Sequence, residues 1–222
     1  MWTVLCGGVG GAKLALGLAH TRPASELTII VNTADDLRWH GLYVAPDVDT
    51  LLYTLSDRVD QERGWGVAGD TTVVLEALAS LGFDPWFRIG DRDLATHIAR
   101  TAWLAAGLRY TEATARLAAA LGVRSRVVPM SDACVRTIIH TAEGDLEFQD
   151  YFVRRRAEVA ITGISFSGAS DAQPSPEALE ALKDAEAILI APSNPLVSIG
   201  PMLALPGFRE QLRRGTPAVV AV

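Results

Sequence analysis

Four glycines in the five positions Gly7-Gly-Val-Gly-Gly11 stand between a short apolar run, Trp2 to Cys6, and a helical stretch, Ala12 to His20. A second run follows from Leu27 to Val31, β-branched at Thr28-Ile-Ile-Val31. Strands that are apolar along nearly their whole length, rather than at alternate positions, are buried on both faces, as in a parallel sheet covered by helices. The chain therefore opens as strand, glycine turn, helix and strand, a βαβ unit. Glycines at that turn let backbone N–H groups approach an anion at the positive end of the helix. The dinucleotide fingerprint is not met. With Gly8 and Gly10 as its first two glycines, the third position falls on Lys13, and no Gly-Lys-Ser/Thr follows to make a Walker motif. A tight turn with no ligand is the plainer alternative.

The same alternation closes the chain: helix over Glu177 to Asp184, strand over Ala187 to Ala191, helix over Phe208 to Arg214 and strand over Ala218 to Val222. Between the two ends, Thr71 to Leu81, Leu94 to Ala106 and Thr111 to Leu121 have helical periodicity, with Gly82, Gly107 and Gly122 placed as stops. Arg126 to Val128, Val135 to Thr141 and Leu146 to Val153 read as strands, the last two joined by a turn at Glu143-Gly-Asp145. No linker divides the chain. The expectation is an α/β, Rossmann-like, doubly wound and mostly parallel sheet, with residues 1–222 forming a single domain and a helical insertion at about 60–125.

Composition removes several classes of function. A net charge of −6 argues against non-specific nucleic-acid binding, which needs a basic face to displace counterions. Cys6 and Cys134 alone build neither a disulfide framework nor a cysteine-rich zinc site, so a reducing cytoplasm is expected. The first residues have no basic region typical of a signal peptide, and no uncharged apolar run reaches membrane-spanning length.

Four groups of residues carry candidate chemistry. The first is the glycine turn with Lys13. The second, Val31-Asn-Thr-Ala-Asp-Asp36 continuing to Pro46-Asp-Val-Asp-Thr50, sits where the second strand ends, which is where open α/β sheets bind ligands. Its carboxylates, Asp35, Asp36, Asp47 and Asp49, suit Mg²⁺, which takes one or two carboxylates together with substrate phosphate oxygens. Asp49 also suits the cap of a helix over Thr50 to Leu55, with the other acids solvated. The third group gathers Arg88, Arg92, His97 and Arg100 around Asp93, itself a candidate helix cap; arginine forks match phosphate and carboxylate. The fourth, Pro192-Ser-Asn-Pro195 with Ser198-Ile-Gly-Pro201, offers Ser193 and Asn194 at another strand's carboxyl end, although Ser-Asn-Pro is ordinary turn chemistry. Trp65, between glycines, could cover a flat ring or simply pack.

Taken together, these motifs resemble the 2-phospho-L-lactate transferase (CofD-like) family of deazaflavin coenzyme biosynthesis, some bacterial members of which are phosphoenolpyruvate transferases. The resemblance runs through Gly7-Gly-Val-Gly-Gly-Ala-Lys13, Val31-Asn-Thr-Ala-Asp-Asp36, Pro46-Asp-Val-Asp-Thr50, Arg63-Gly-Trp-Gly66 and Gly90-Asp-Arg-Asp-Leu-Ala-Thr-His97. It continues through Pro129-Met-Ser-Asp132, Phe148-Gln-Asp150 and the Pro192 to Pro201 segment. It implies a Mg²⁺-dependent cytoplasmic homodimer. Its implied reaction moves a phospholactyl or phosphoenolpyruvyl group from a guanosine-diphosphate-activated donor to the ribityl hydroxyl of 7,8-didemethyl-8-hydroxy-5-deazariboflavin, releasing GMP.

By that resemblance, Asp49 and Arg88 contact the deazaflavin acceptor, while Gly8, Gly10, Gly11, Lys13, Asn32, Ser193 and Asn194 hold the guanosine donor. Mg²⁺ is expected on Asp49 with Asp35 and Asp36, and Asp49 or Asp36 as acceptor of the hydroxyl proton. Arg88 and Lys13 are expected to meet phosphate charge. The alternative is a non-catalytic nucleotide-sugar-binding regulator of the gluconeogenesis-factor type, which shares the glycine-rich start and an Ala-Asp-Asp element. A nicotinamide oxidoreductase is disfavoured by Asn32, where a ribose-binding acid belongs. No motif separates phospholactate, phosphoenolpyruvate and phosphoglycerate as the donor's three-carbon unit. The run Pro217 to Val222 reads as a sheet strand after which the family continues, so the chain is expected to be truncated relative to it.

Overall fold

The computed structural model describes residues 1–214 and 218–222. Pro217, the first residue of the terminal apolar run, lies outside the described residues. Five parallel strands form the central sheet: β1 (Trp2–Cys6), β2 (Leu27–Val31), β5 (Arg126–Pro129), β9 (Ala187–Ile190) and β10 (Ala218–Ala221), in the order β10-β9-β1-β2-β5. β1 is thus the strand about which the order reverses. Its register pairs Val4 with Ile29 on one side and with Leu189 on the other.

The strand period of two divides the buried residues between two cores. Leu5, Ile30, Val128 and Ile188 face α6 (Pro176–Lys183), α7 (Gly200–Ala204) and α8 (Phe208–Arg214), where Ala181, Met202 and Phe208 meet them. Val4, Ile29, Val31 and Val127 face α1 (Gly8–Thr21), α2 (Pro46–Leu55) and α5 (Tyr110–Leu121), through Ala15, Leu51 and Leu117. Helices on both faces are what the unbroken apolar strands required, and the sheet is doubly wound as expected.

The remaining elements pack beside this sandwich. A hairpin, β3 (Leu37–Trp39) with β4 (Leu42–Val44), shares a third core with α3 (Val73–Ser80) and α4 (Asp91–Ala105) through Leu37, Trp39, Leu75 and Leu94. A separate antiparallel sheet has the order β7-β6-β8, from β6 (Arg136–Thr141), β7 (Gly144–Glu147) and β8 (Ile161–Ser167). Gly82, Gly107 and Gly122 all follow helices with positive φ, as their placement required. Among the described residues no helix is long and apolar enough to cross a membrane.

Several local expectations are corrected. Gly8–Gly11 form the first turn of α1 instead of preceding it. α2 begins at Pro46, so Asp49 is a buried residue within the helix and not its cap. Gly90 caps α4, and Asp93 lies in its first turn. Leu146 to Val153 is not one strand: β7 ends at Glu147, and Asp150–Arg154 winds into a π-helical turn. There Phe148 stacks on Phe152 with ring centroids 5.4 Å apart, a contact between i and i+4 that a strand forbids and a helical turn permits. The β6–β7 turn falls at Ala142-Glu143, one residue earlier than expected.

Candidate active site

A cleft of about 450 Å³ opens beyond the carboxyl ends of the central strands, beside β1. One end is built from the start of α1 and the loop after β9. Ser193 Oγ accepts from Gly7 N at 3.0 Å and donates to Gly7 O at 2.8 Å. Asn194 Oδ1 accepts from the backbone of Leu196 and Val197, which sets the next turn. Gly10 is explained by this contact: a Cβ there would lie 2.3 Å from the carbonyl oxygen of Pro192. Gly8 is different, with φ +65° and only an Asp47 oxygen within 4 Å of its ideal Cβ, so its backbone borders the cleft. Gly10→Ala is expected to push the Pro192 loop away from α1, costing about 1–3 kcal/mol and weakening anion binding more than overall stability. Thermal melts with and without a nucleoside diphosphate measure both.

The middle of the cleft is acidic. Asn32, buried at the end of β2, donates from Nδ2 to Asp35 Oδ2 and to Asp47 Oδ2, each at 3.0 Å, while its Oδ1 accepts from Ala34 N. One amide thus gathers two carboxyl groups. Burial, reinforced by the charge of Asp47, pushes the Asp35 carboxyl well above the usual range. Burial likewise pushes Asp47 up to about 6, against the bonds from Asn32 and Gly8 N. Asp36 does not line this cleft. Its Oδ2 accepts from Tyr43 at 2.9 Å and Tyr110 at 2.8 Å, and burial raises its pKa despite both phenols. Lys13 is exposed on α1 and also lies outside the cleft lining.

Beside that pair, Arg100 on α4 is fully buried and clasps Asp49 with both terminal nitrogens, one of them 3.1 Å from Oδ2. Burial opposes the guanidinium charge, but Asp49 outweighs it and holds Arg100 above its ordinary pKa. Arg100 Nη1 also donates to His97 Nδ1 at 3.4 Å. His97 Nε2 sits 3.2 Å from Asp93 Oδ1, off the hydrogen-bonding direction, and has no protein partner. Tyr53 donates to Asp93 at 2.8 Å. Burial works against the Asp93 charge, but His97 and Tyr53 prevail and lower its pKa. The spacing of Asp93 and His97 by four on one helix is the signal that, read as a face, joins them to this site.

Trp65, Trp86, Phe87, Phe148 and Phe152 give the cleft an aromatic wall, with Arg88 exposed among the lining residues. Of the residues singled out in the sequence, the structure brings Gly8, Gly10, Asp35, Asp49, Arg88, Ser193 and Asn194 to the cleft wall, with Asn32 and Gly11 directly behind it. Asp47, Asp93, His97 and Trp65, also singled out there, line the cleft as well, and the structure adds Trp86 and Phe152.

Two groups can hold a cation. Asp49, Asp93 and His97 each offer a ligand atom, all within 4.8 Å of one another. That trio includes a nitrogen donor, and Arg100 already neutralises Asp49. Asp35 and Asp47 are oxygen donors only, converge on one amide, and leave Asp35 Oδ1 without a partner. Hard oxygen donors suit Mg²⁺, so the second pair fits it better.

A helix start, paired carboxylates and an aromatic wall line one cleft of a doubly wound sheet, an arrangement suited to group transfer. The comparisons agree: a sequence model of the 2-phospho-L-lactate transferase CofD family matches residues 3–222, and the chain belongs to that family. It is a transferase. It is 44% identical over 219 residues to a 2-phospho-L-lactate transferase of Methanosarcina mazei, an alignment covering 99% of this chain and 72% of that protein. It is also 44% identical over 222 residues to a phosphoenolpyruvate transferase of Streptomyces griseus, covering 97% and 70%. A solved structure of a UPF0052-family protein from Bacillus halodurans superposes with a TM-score of 0.71 at 21% identity, over 99% of this chain and 67% of that one, a likeness of fold.

Proposed function

We propose that this chain transfers a phospholactyl or phosphoenolpyruvyl group from a guanosine-diphosphate-activated donor to the ribityl hydroxyl of 7,8-didemethyl-8-hydroxy-5-deazariboflavin, releasing GMP, in deazaflavin coenzyme biosynthesis. One observation carries the reading: a single cleft joins an anion-suited helix start to an aromatic wall, with carboxylates between them. The diphosphate belongs at Gly8, Gly10 and Ser193, and the flat acceptor ring belongs against Trp86 and Phe148.

A diphosphate in that position faces Asp35 and Asp47, which would repel it. Mg²⁺ held by these two carboxylates would neutralise the phosphate charge and turn repulsion into attraction. Phosphoryl-type transfer asks mainly for alignment and charge neutralisation. The acceptor oxygen forms a bond to the phosphorus bearing the three-carbon unit, and the bond from that phosphorus to the GMP oxygen breaks. Asp49, clasped by Arg100, accepts the hydroxyl proton, and Arg88 contacts the acceptor. Asp36 and Lys13 touch no substrate in this reading. A magnesium-dependent, cytoplasmic homodimer remains part of it on the strength of the family resemblance.

The test is transfer to the deazariboflavin with phospholactyl, phosphoenolpyruvyl and phosphoglyceryl guanosine donors in competition. The expected result is Mg²⁺-dependent product and stoichiometric GMP from one of the three, abolished by chelation. Product from none of them, with donor binding intact, would overturn the reading.

A further inference from the structure

Two serines stand at the helix-start end of the cleft, and their hydroxyls are used differently. Ser193 commits its own to Gly7, donating to the carbonyl and accepting from the N–H. Ser198 is only 6% exposed, yet it lines the cleft. Its backbone N–H donates to Asn194 O at 3.0 Å, whereas among the described residues its hydroxyl is bonded to no protein group. It lies in a π-helical turn, Pro195–Ile199, a rare geometry that recurs at functional sites.

Two contacts fix where that hydroxyl stands. Asn32 Nδ2, which gathers Asp35 and Asp47, also reaches the carbonyl oxygen of Val197 at 3.4 Å. The residue before Ser198 is thus tied to the same amide as the two acids. At the start of α1, a Cβ on Gly7 would lie 2.9 Å from Ser198 Oγ and 2.9 Å from Asp47 Oδ2. Gly7 has an extended backbone, so this position excludes a side chain and not a conformation. Ser198 Oγ and Asp47 Oδ2 flank one point beside Gly7.

Oxygens that share an ion are placed in this way. Mg²⁺ holds its ligands at about 2.0–2.1 Å, which leaves adjacent ligand oxygens about 3 Å apart with no hydrogen bond between them. A neutral hydroxyl adds an oxygen without adding charge, and a serine or threonine working with an aspartate holds the ion in other phosphate-transferring folds. The neighbour of Ser198 Oγ is a carboxylate oxygen, which attracts a cation and repels a phosphate.

We propose that Ser198 Oγ is the third protein ligand of the cation held by Asp35 and Asp47. The proposal rests on the magnesium assignment made above and adds a residue from the far end of the chain to it.

Two measurements on the full chain decide it. Mn²⁺ alone, followed by its electron spin resonance, is expected to bind Ser198→Ala about 10-fold or more weakly, since loss of even a partner one shell behind a ligand costs about that much. Asp47→Asn is expected to lose the ion as well. The melting temperature of Ser198→Ala should stay within about 2 °C of native, because no hydrogen bond is broken. Ser198→Cys puts a soft thiolate among the ligands and is expected to take Cd²⁺ about 10-fold more tightly than the unsubstituted chain, with thiolate-to-cadmium absorption beyond what Cys6 and Cys134 give. Native Mn²⁺ affinity in Ser198→Ala, or no added cadmium absorption in Ser198→Cys, overturns the role of Ser198; if Asp47→Asn still loses the ion, the magnesium assignment survives that failure. Weaker binding of a nucleoside diphosphate in chelator by Ser198→Ala, with Mn²⁺ binding intact, would make the hydroxyl a phosphate contact instead and overturn the proposal. Equal Mn²⁺ binding by the unsubstituted chain and Asp47→Asn, or none by either, overturns the magnesium assignment and the role of Ser198 with it.

Discussion

Asp47→Asn is expected to make the metal-free chain more heat-stable while abolishing transfer. Asp47 is held beside Asp35 by a single amide, and its pKa is pushed up from 3.8 to about 6, chiefly by burial. A carboxyl whose pKa is higher folded than unfolded binds more protons in the folded state, so its ionisation costs stability as pH rises from about 4 to about 6. Above that range the cost is complete and amounts to roughly 2–3 kcal/mol, at 1.36 kcal/mol per unit. Asparagine removes it. The new side chain still accepts from Asn32, and its NH₂ donates toward Asp35 where two carboxylates had faced each other. For a chain of this size that is a rise of roughly 5–10 °C in Tm at pH 7 with chelator present, shrinking toward zero near pH 4. Turnover, by contrast, is expected to fall about 100-fold or more, because the diphosphate loses half of its cation site. A lower Tm at pH 7, or unchanged turnover, would remove Asp47 from the centre of the site.

Arg100→Met is expected to be the most damaging single change outside the sheet core. The side chain is fully buried and both terminal nitrogens bind Asp49. Replacing an entire buried ion pair by apolar residues is often tolerated, whereas removing one partner strands the other charge, typically at 3–5 kcal/mol. The single variant should therefore lose at least about 6 °C in Tm. Combining it with Asp49→Leu should restore most of that stability without restoring any transfer, since Asp49 is the group assigned to the acceptor hydroxyl. Additive losses in the double variant would show that the two residues do not act as a pair. Recovery of stability together with activity would show that Asp49 is structural only.

These two residues also mark where reading the chain succeeded and where it stopped. The sheet was legible because its strands are apolar almost throughout and its glycines sit at fixed places: β1, β2 and β9 and the helices ending before Gly82, Gly107 and Gly122 follow from local pattern. Asp49 and Asp35 were legible as candidates because acids at the end of a buried strand have few innocent explanations. Arg100 was noticed only as positive charge near other arginines. Nothing local says that it reaches across to a residue 51 positions earlier, because that contact is set by where α4 packs on β4 and α5. Asp36 misled for the complementary reason. Adjacent acids look equivalent in a sequence, but β2 gives way to a turn here, and successive side chains part company: Asp35 lines the cleft, while Asp36 is taken by Tyr43 and by Tyr110 from 74 positions away. Phe152 was hidden inside a segment that alternates well enough to pass for a strand, and only the stacking on Phe148 turns it toward the site.

The closeness of Pro192 to Gly10 has a consequence for the life history of the molecule. This end of the cleft is a seam between the first turn of the first helix and a loop that follows β9, with Gly7 and Ser193 joined across 186 positions of sequence. A growing chain therefore carries half of this seam from its first residues, and the second half arrives only when β9 takes its place against β1. On the function proposed above, a nucleotide would span this seam like a clasp, adding its binding free energy to the docking of β9 on β1. Substrate would in this sense be a late structural component, one that ties a late-made strand of the sheet to the first.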